Sequence, residues 1–154
     1  MVTKGEYRTL EHKNYRLVRS SPVSHGPRVT VAEIGTGTYT NDVTVGRHRF
    51  LSDEPANLGG NDEGPNPYDL LCAALGSCTS MTLRMYADRK GWPVGQITVD
   101  VDHQRVDGDD IFTRSISILG DLDDEQRARL IEIASRCPVH RTLERASTIV
   151  TESA

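Results

Sequence analysis

Apolar positions along the chain change period several times, and each change marks an expected element. VTVAEI (29–34) is rich in β-branched residues, and GTG (35–37) follows as a turn signal. TYTNDVTVGRHRFL (38–51) alternates well enough for one or two further strands. The pattern then stops. SDEPANLGGNDEGPNP (52–67) is dense in Gly, Pro, Asn and Asp, so it reads as a long loop. Loops of this length in a small domain are often functional, although a plain connector has the same composition.

Helical signals follow together. Asn66 suits an N-cap, Pro67 the first helical position and Asp69 the third, near the positive end of the helix dipole. The helix is predicted to run to about Lys90, where Gly91–Trp92–Pro93 ends it. Leu71, Ala74, Leu75, Cys78, Met81, Thr82 and Met85 fall on one stripe, which predicts a central and largely buried helix. Gly76 weakens that helix relative to alanine, which suggests a close approach by another element.

Strict alternation returns in QITVDVDHQRV (96–106), with Ile97, Val99 and Val101 on one face and Thr98, Asp100 and Asp102 on the other. DGDD (107–110) turns the chain and IFTRSISIL (111–119) returns, predicting an antiparallel hairpin with one wet face. Asp123 and Gln126 form a capping-box pattern for a second helix whose core stripe is Leu130, Ile131 and Ala134. Cys137–Pro138 breaks that helix and starts a short one, and STIVT (147–151) predicts a last strand. This order is α+β and lacks the βαβ alternation of a parallel-sheet enzyme.

Residues 1–26 are polar, with Tyr7, Tyr15, Leu17 and Val18 as the sizeable anchors. They read as an N-terminal extension with a loop at 20–27 and at most one strand. The remaining residues, 27–154, suffice for a single domain. A net charge of −4 and 5% aromatic residues give no reason to expect nucleic acid or an anionic membrane as partner. The charged N-terminus lacks a signal-peptide core, and no run approaches the ~18 apolar residues of a membrane span. A cytoplasmic location is therefore expected, where three cysteines are buried, metal-bound or reactive rather than a disulfide framework.

Position alone leaves the cysteines ambiguous. Cys78, on the apolar stripe, reads first as a small packing residue. Cys137 is equally a packing residue or a thiol whose ionised form is favoured at the N-cap of the last helix, with His140 close by. Cys72 points about 120° away from Cys78 and reads as a spare core cysteine. Cys137 and His140 have C-x-x-H spacing, but no second clustered pair exists, so a metal site is not expected. Neither a phosphate-binding Gly-rich loop nor a G-x-S-x-G elbow is found, and no cofactor is implied.

Two stretches carry a resemblance. Asp53-Glu54-Pro55, Leu58-Gly59-Gly60, Gly64-Pro65-Asn66-Pro67-Tyr68-Asp69-Leu70-Leu71 and Ala73-Ala74-Leu75-Gly76-Ser77-Cys78 resemble the OsmC/Ohr family of osmotically induced and organic hydroperoxide resistance proteins. So does Arg136-Cys137-Pro138-Val139-His140-Arg141-Thr142-Leu143, which is similar to the family's second-cysteine motif. The resemblance implies antiparallel sheets wrapped around a long central helix in an intertwined homodimer. It also implies a thiol-dependent peroxidase of oxidative or osmotic stress defence, with Cys78 attacking a small hydrophobic hydroperoxide. Cys137 would then resolve the product as a disulfide, which an external dithiol reduces. Peroxidases of this family carry a glutamate directly after the Asn-Pro and an arginine from the N-terminal strands. Here Tyr68 occupies the glutamate position, and Glu54 and Arg49 are the candidates to rebuild the charge pair. The alternative implied by Tyr68 is a non-catalytic member that binds a small ligand or senses redox state.

Overall fold

A computed structural model describes residues 7–11, 14–18, 28–145 and 147–153; the loop expected at 20–27 lies outside them. Strands β1 (Tyr7–Glu11) and β2 (Asn14–Val18) pair antiparallel, so the extension holds two strands where at most one is expected. Strands β3 (Val29–Glu33), β4 (Asn41–Val45) and β5 (His48–Ser52) form an antiparallel sheet in chain order. The turn between β4 and β5 uses Gly46, whose φ of 59° a glycine adopts without steric cost.

Helix α1 (Pro67–Lys90) begins where its caps predict. The Asn66 side chain accepts from the N–H groups of Tyr68 and Asp69, and Asp69 accepts from the Asn66 N–H, closing a capping box. Strands β6 (Val94–Val106) and β7 (Asp109–Gly120) form a long hairpin turned on Asp107–Gly108. Both turn residues have positive φ, 52° and 97°, the primed-turn geometry that matches strand twist. Helix α2 (Asp124–Ala134) carries the expected Asp123/Gln126 box, and α3 (Pro138–Glu144) follows Cys137 directly.

One core joins these parts. Leu83, Ala87, Val94, Leu122, Leu130, Ile133 and Ala134 are buried together, with Tyr86, Trp92, Ile97, Ile116 and Ile118 packed around them. They come from the C-terminal half of α1, one face of the hairpin and α2. Arginines tie the layers at their edges: Arg84 of α1 donates to the carbonyl oxygens of Val94 and Gly95, and Arg127 of α2 to those of Ile118 and Gly120.

Three expectations fail, the first on α2, where Ile133 is buried with Leu130 and Ala134 while Ile131 is 51% exposed. The buried row of α1 is Leu75, Thr79, Leu83 and Ala87, joined by Gly76, not the predicted stripe; Met81 is 65% and Met85 63% exposed. The i,i+4 row that faces the hairpin contains small and polar residues, so apolar periodicity points to the neighbouring row instead. Ser147–Thr151 form no strand. A strand exists only through its ladder, and none of the described strands pairs with these residues.

The loop from Asp53 to Asn66 is organised by one carboxylate. Buried Asp53 accepts from Thr40 Oγ1 and from the N–H groups of Glu54, Asn61 and Glu63 at 2.9–3.4 Å. Burial opposes its charge, but these donors hold the carboxyl below the usual aspartate range. Gly60 and Gly64 press against the backbone carbonyls of Glu54 and Leu51, closer than any side chain would allow. The long loop is thereby anchored to the end of β5 and delivers Asn66 to the start of α1.

Candidate active site

Three elements bring two of the three cysteines together. Cys78 lies in the fourth turn of α1; Cys137 lies between α2 and α3, where the α2 ladder has run out and Pro138 starts a new helix. The two thiols lie close enough that each acts on the other's ionisation, and all three cysteines are free thiols. Access differs. Cys137 is 0% exposed, whereas Cys78 is half-buried.

The two sulfurs also differ electrostatically. Burial pushes the Cys78 thiol up, and its bond to Cys137 works in the same direction, with only partial relief from the Val139 N–H. Burial opposes ionisation of Cys137 too. The hydrogen bond from Cys78 and the N–H groups of His140 and Val139 outweigh it, and hold Cys137 below the ordinary cysteine value. Negative charge on the pair therefore prefers Cys137, with Cys78 as the hydrogen donor. Thr79 and Thr82 each give their single hydroxyl proton to a carbonyl at 2.7 Å, those of Leu75 and Cys78.

A cavity of about 390 Å³ is lined by Leu75 and His140, each three residues along the chain from one of the two cysteines, with Phe112, Leu143, Arg114 and the carboxylates Asp110 and Glu144. Tyr68 contributes from the margin. Its ring stacks on His103 with centroids 4.1 Å apart and planes 8° apart; His103 packs on Phe112 and its Nε2 lies 3.0 Å from Oδ1 of Asp110. An aromatic ladder thus stands where a carboxylate was looked for.

The other candidates lie elsewhere within the chain. Arg49, on β5, has its Nε 2.5 Å from Oδ1 of Asp42 on β4, and its side chain is 72% exposed. Glu54 opens the long loop, its backbone held by Asp53 and its carbonyl against Gly60. Cys72 lines a separate groove between α1 and β6, with Gly76, Val99 and Asp102. Burial and the charges of Asp69 and Asp102 push its thiol up. Arg114 is absent from the sequence reading. A signal for Arg114 exists: it alternates with Phe112, Ile116 and Ile118, so it is a cation on the apolar face of β7.

The family model for OsmC-like proteins matches residues 59–152, which include both cysteines. No curated protein matches the chain. Among solved structures, an OsmC-like protein of Mycoplasma pneumoniae superposes with a TM-score of 0.66 at 17% identity, covering 79% of this chain and 89% of that one. An organic hydroperoxide resistance protein of Elizabethkingia anophelis gives 0.61 at 24% identity, covering 79% and 90%. The organic hydroperoxide resistance protein OsmC of Legionella pneumophila gives 0.57 at 16%, again covering 79% and 90%. At these identities the structural likenesses speak to the fold.

Proposed function

The chain belongs to the OsmC-like family, and on that premise we propose that it is a thiol-dependent peroxidase reducing organic hydroperoxides through Cys78 and Cys137. The observation that carries this reading is the pairing of a half-buried thiol with a fully buried one, each acting on the other's ionisation. Only Cys78 is open to an incoming peroxide. Its proton passes to Cys137, the Cys78 thiolate attacks the O–O bond, and the alkoxide leaves as alcohol after taking a proton from Cys137. Cys78 is then a sulfenic acid, and Cys137, again a thiolate, attacks its sulfur. A disulfide forms and hydroxide leaves as water. Two thiols and one hydroperoxide have become one disulfide, one alcohol and one water. An external dithiol restores the pair.

In this reading Leu75, Phe112 and Leu143 receive the organic part of the substrate. The unit is a homodimer, because Leu71, Met81 and Met85 leave an apolar row of α1 uncovered. Since Asp42 holds Arg49, any role for Glu54 and Arg49 beside Cys78 requires the second copy. Titration of the reduced protein with an alkyl hydroperoxide is expected to consume two thiols per chain and to link Cys78 with Cys137. Unchanged peroxide consumption by Cys78→Ser would sink the assignment.

The upward shift of Cys78 and the aromatic ladder at Tyr68 favour a second reading, a slow redox sensor or ligand-binding protein. Stopped-flow kinetics separate the two: a sensor oxidises once per chain but fails to turn over with excess dithiol.

A further inference from the structure

Arg114 reaches from the middle of β7 to both halves of the cysteine pair. Its Nη1 donates to Oγ1 of Thr79 at 2.7 Å and to the carbonyl oxygen of Ala134 at 3.2 Å. Thr79 follows Cys78 in α1 and is fully buried. Its hydroxyl proton is committed to the Leu75 carbonyl, so it meets Arg114 only as an acceptor and the bond has a fixed direction. The Ala134 carbonyl in turn accepts the N–H of Cys137 at 3.4 Å. One guanidinium nitrogen therefore connects the residue next to Cys78 with the carbonyl that holds the backbone of Cys137.

No helical ladder secures Cys137 at this point. Its N–H reaches back to Ala134, and its φ and ψ of −55° and 130° are not helical. A clamp from the sheet is what fixes its approach to α1. The rest of the guanidinium borders the cavity beside Leu75, Phe112 and His140.

We propose that Arg114 is the positioning residue of the dithiol, setting the distance and angle at which Cys137 closes on Cys78. The inference deepens the peroxidase reading and rests on it for the sulfenic acid step: Cys78–SOH and HS–Cys137 give the disulfide and water. Disulfide bonding needs a narrow Cβ–S–S–Cβ geometry, so a small loss of registry slows closure and makes the bond easier to reduce.

The test compares wild type with Arg114→Met, Arg114→Lys and Thr79→Val. One equivalent of alkyl hydroperoxide is added to reduced protein, and the sulfenic acid is trapped at intervals with a cyclic 1,3-diketone. In Arg114→Met disulfide closure, measured as the decay of trapped sulfenic acid, is expected to slow roughly tenfold, about the effect of one charge-assisted hydrogen bond. Arg114→Lys restores part of it, since an ammonium can satisfy the two oxygens without the planar fork. Thr79→Val, which keeps the cation and removes one acceptor, slows closure in the same direction. A second measurement needs no peroxide: equilibration in a glutathione redox buffer reads the thiol–disulfide constant, expected to shift roughly tenfold toward the dithiol in Arg114→Met. Wild-type closure and an unchanged redox equilibrium in folded Arg114→Met would overturn the proposal. Should wild type consume no hydroperoxide, the peroxidase reading fails, and the redox equilibrium alone decides on Arg114.

Discussion

Cys78 sits in an intact helical ladder with no backbone N–H to spare, while Cys137 sits at a helix start where two N–H groups lack carbonyl partners. This contrast sets the pH behaviour of the pair. The first proton lost is shared between two sulfurs, so the rate of Cys78 oxidation is expected to rise with pH through a value belonging to the pair. Cys137→Ser removes the neighbour that holds the Cys78 thiol up, and the rate profile of Cys78 should move to lower pH; stopped-flow measurement from pH 6 to 10 checks it, and an unmoved profile would leave Cys137 as a resolving thiol only. Asp53 supplies the opposite sign. Its folded pKa lies below the ordinary aspartate value, so its stabilising contribution is complete above that value and is lost as pH falls through the folded one. Asp53→Asn should lower Tm at neutral pH, and the gap from wild type should close in acid. A gap constant with pH would assign the loss to shape rather than charge.

Among the elements, α1 is where sequence and structure agree on limits and disagree on orientation. Its ends were legible because caps are local: Asn66, Pro67, Asp69 and Gly91 need no tertiary contact to act. Its buried face was not, because the hairpin selects Gly76 and Thr79, which no hydrophobicity pattern would place inward. The cysteine pair was legible through motif resemblance, yet its clamp was hidden, Arg114 being 35 residues from Thr79. Two substitutions test the packing of this helix by thermal or urea unfolding. A β-carbon at Gly76 would meet Val101 Cγ2 at 3.5 Å and the Val99 carbonyl at 3.6 Å, ordinary contact distances. Gly76→Ala is therefore expected to stabilise by about 0.5–1 kcal/mol through helix propensity. Leu83→Ala, at a fully buried position, is expected to cost about 2–5 kcal/mol. Destabilisation by Gly76→Ala would mean that the helix lies tighter on β6 than these distances say.

For the whole molecule, the distribution of apolar surface is the informative feature. Val29 and Val31 on β3, Met81 and Met85 on α1, and Ile149 near the C-terminus are all more than half exposed, Ile149 at 88%. One core, off-centre on the C-terminal half of α1, leaves these unpartnered. Covering by a second copy is the consequence drawn above, and Met81→Glu with Met85→Glu should convert a dimer to monomers in analytical ultracentrifugation. A dimer that survives both charges would move the interface off this face of α1. Among the described residues no helix is long and apolar enough to cross a membrane.

The unequal access of the two sulfurs also governs how such a molecule wears out. Under excess oxidant, of the two paired sulfurs it is the sulfenic acid on Cys78 that is open to further attack, while Cys137 stays shielded from bulk reagent. Irreversible damage should therefore accumulate on one peptide and leave the other pristine. The ratio of the two in recovered protein would serve as a record of the peroxide each molecule has met.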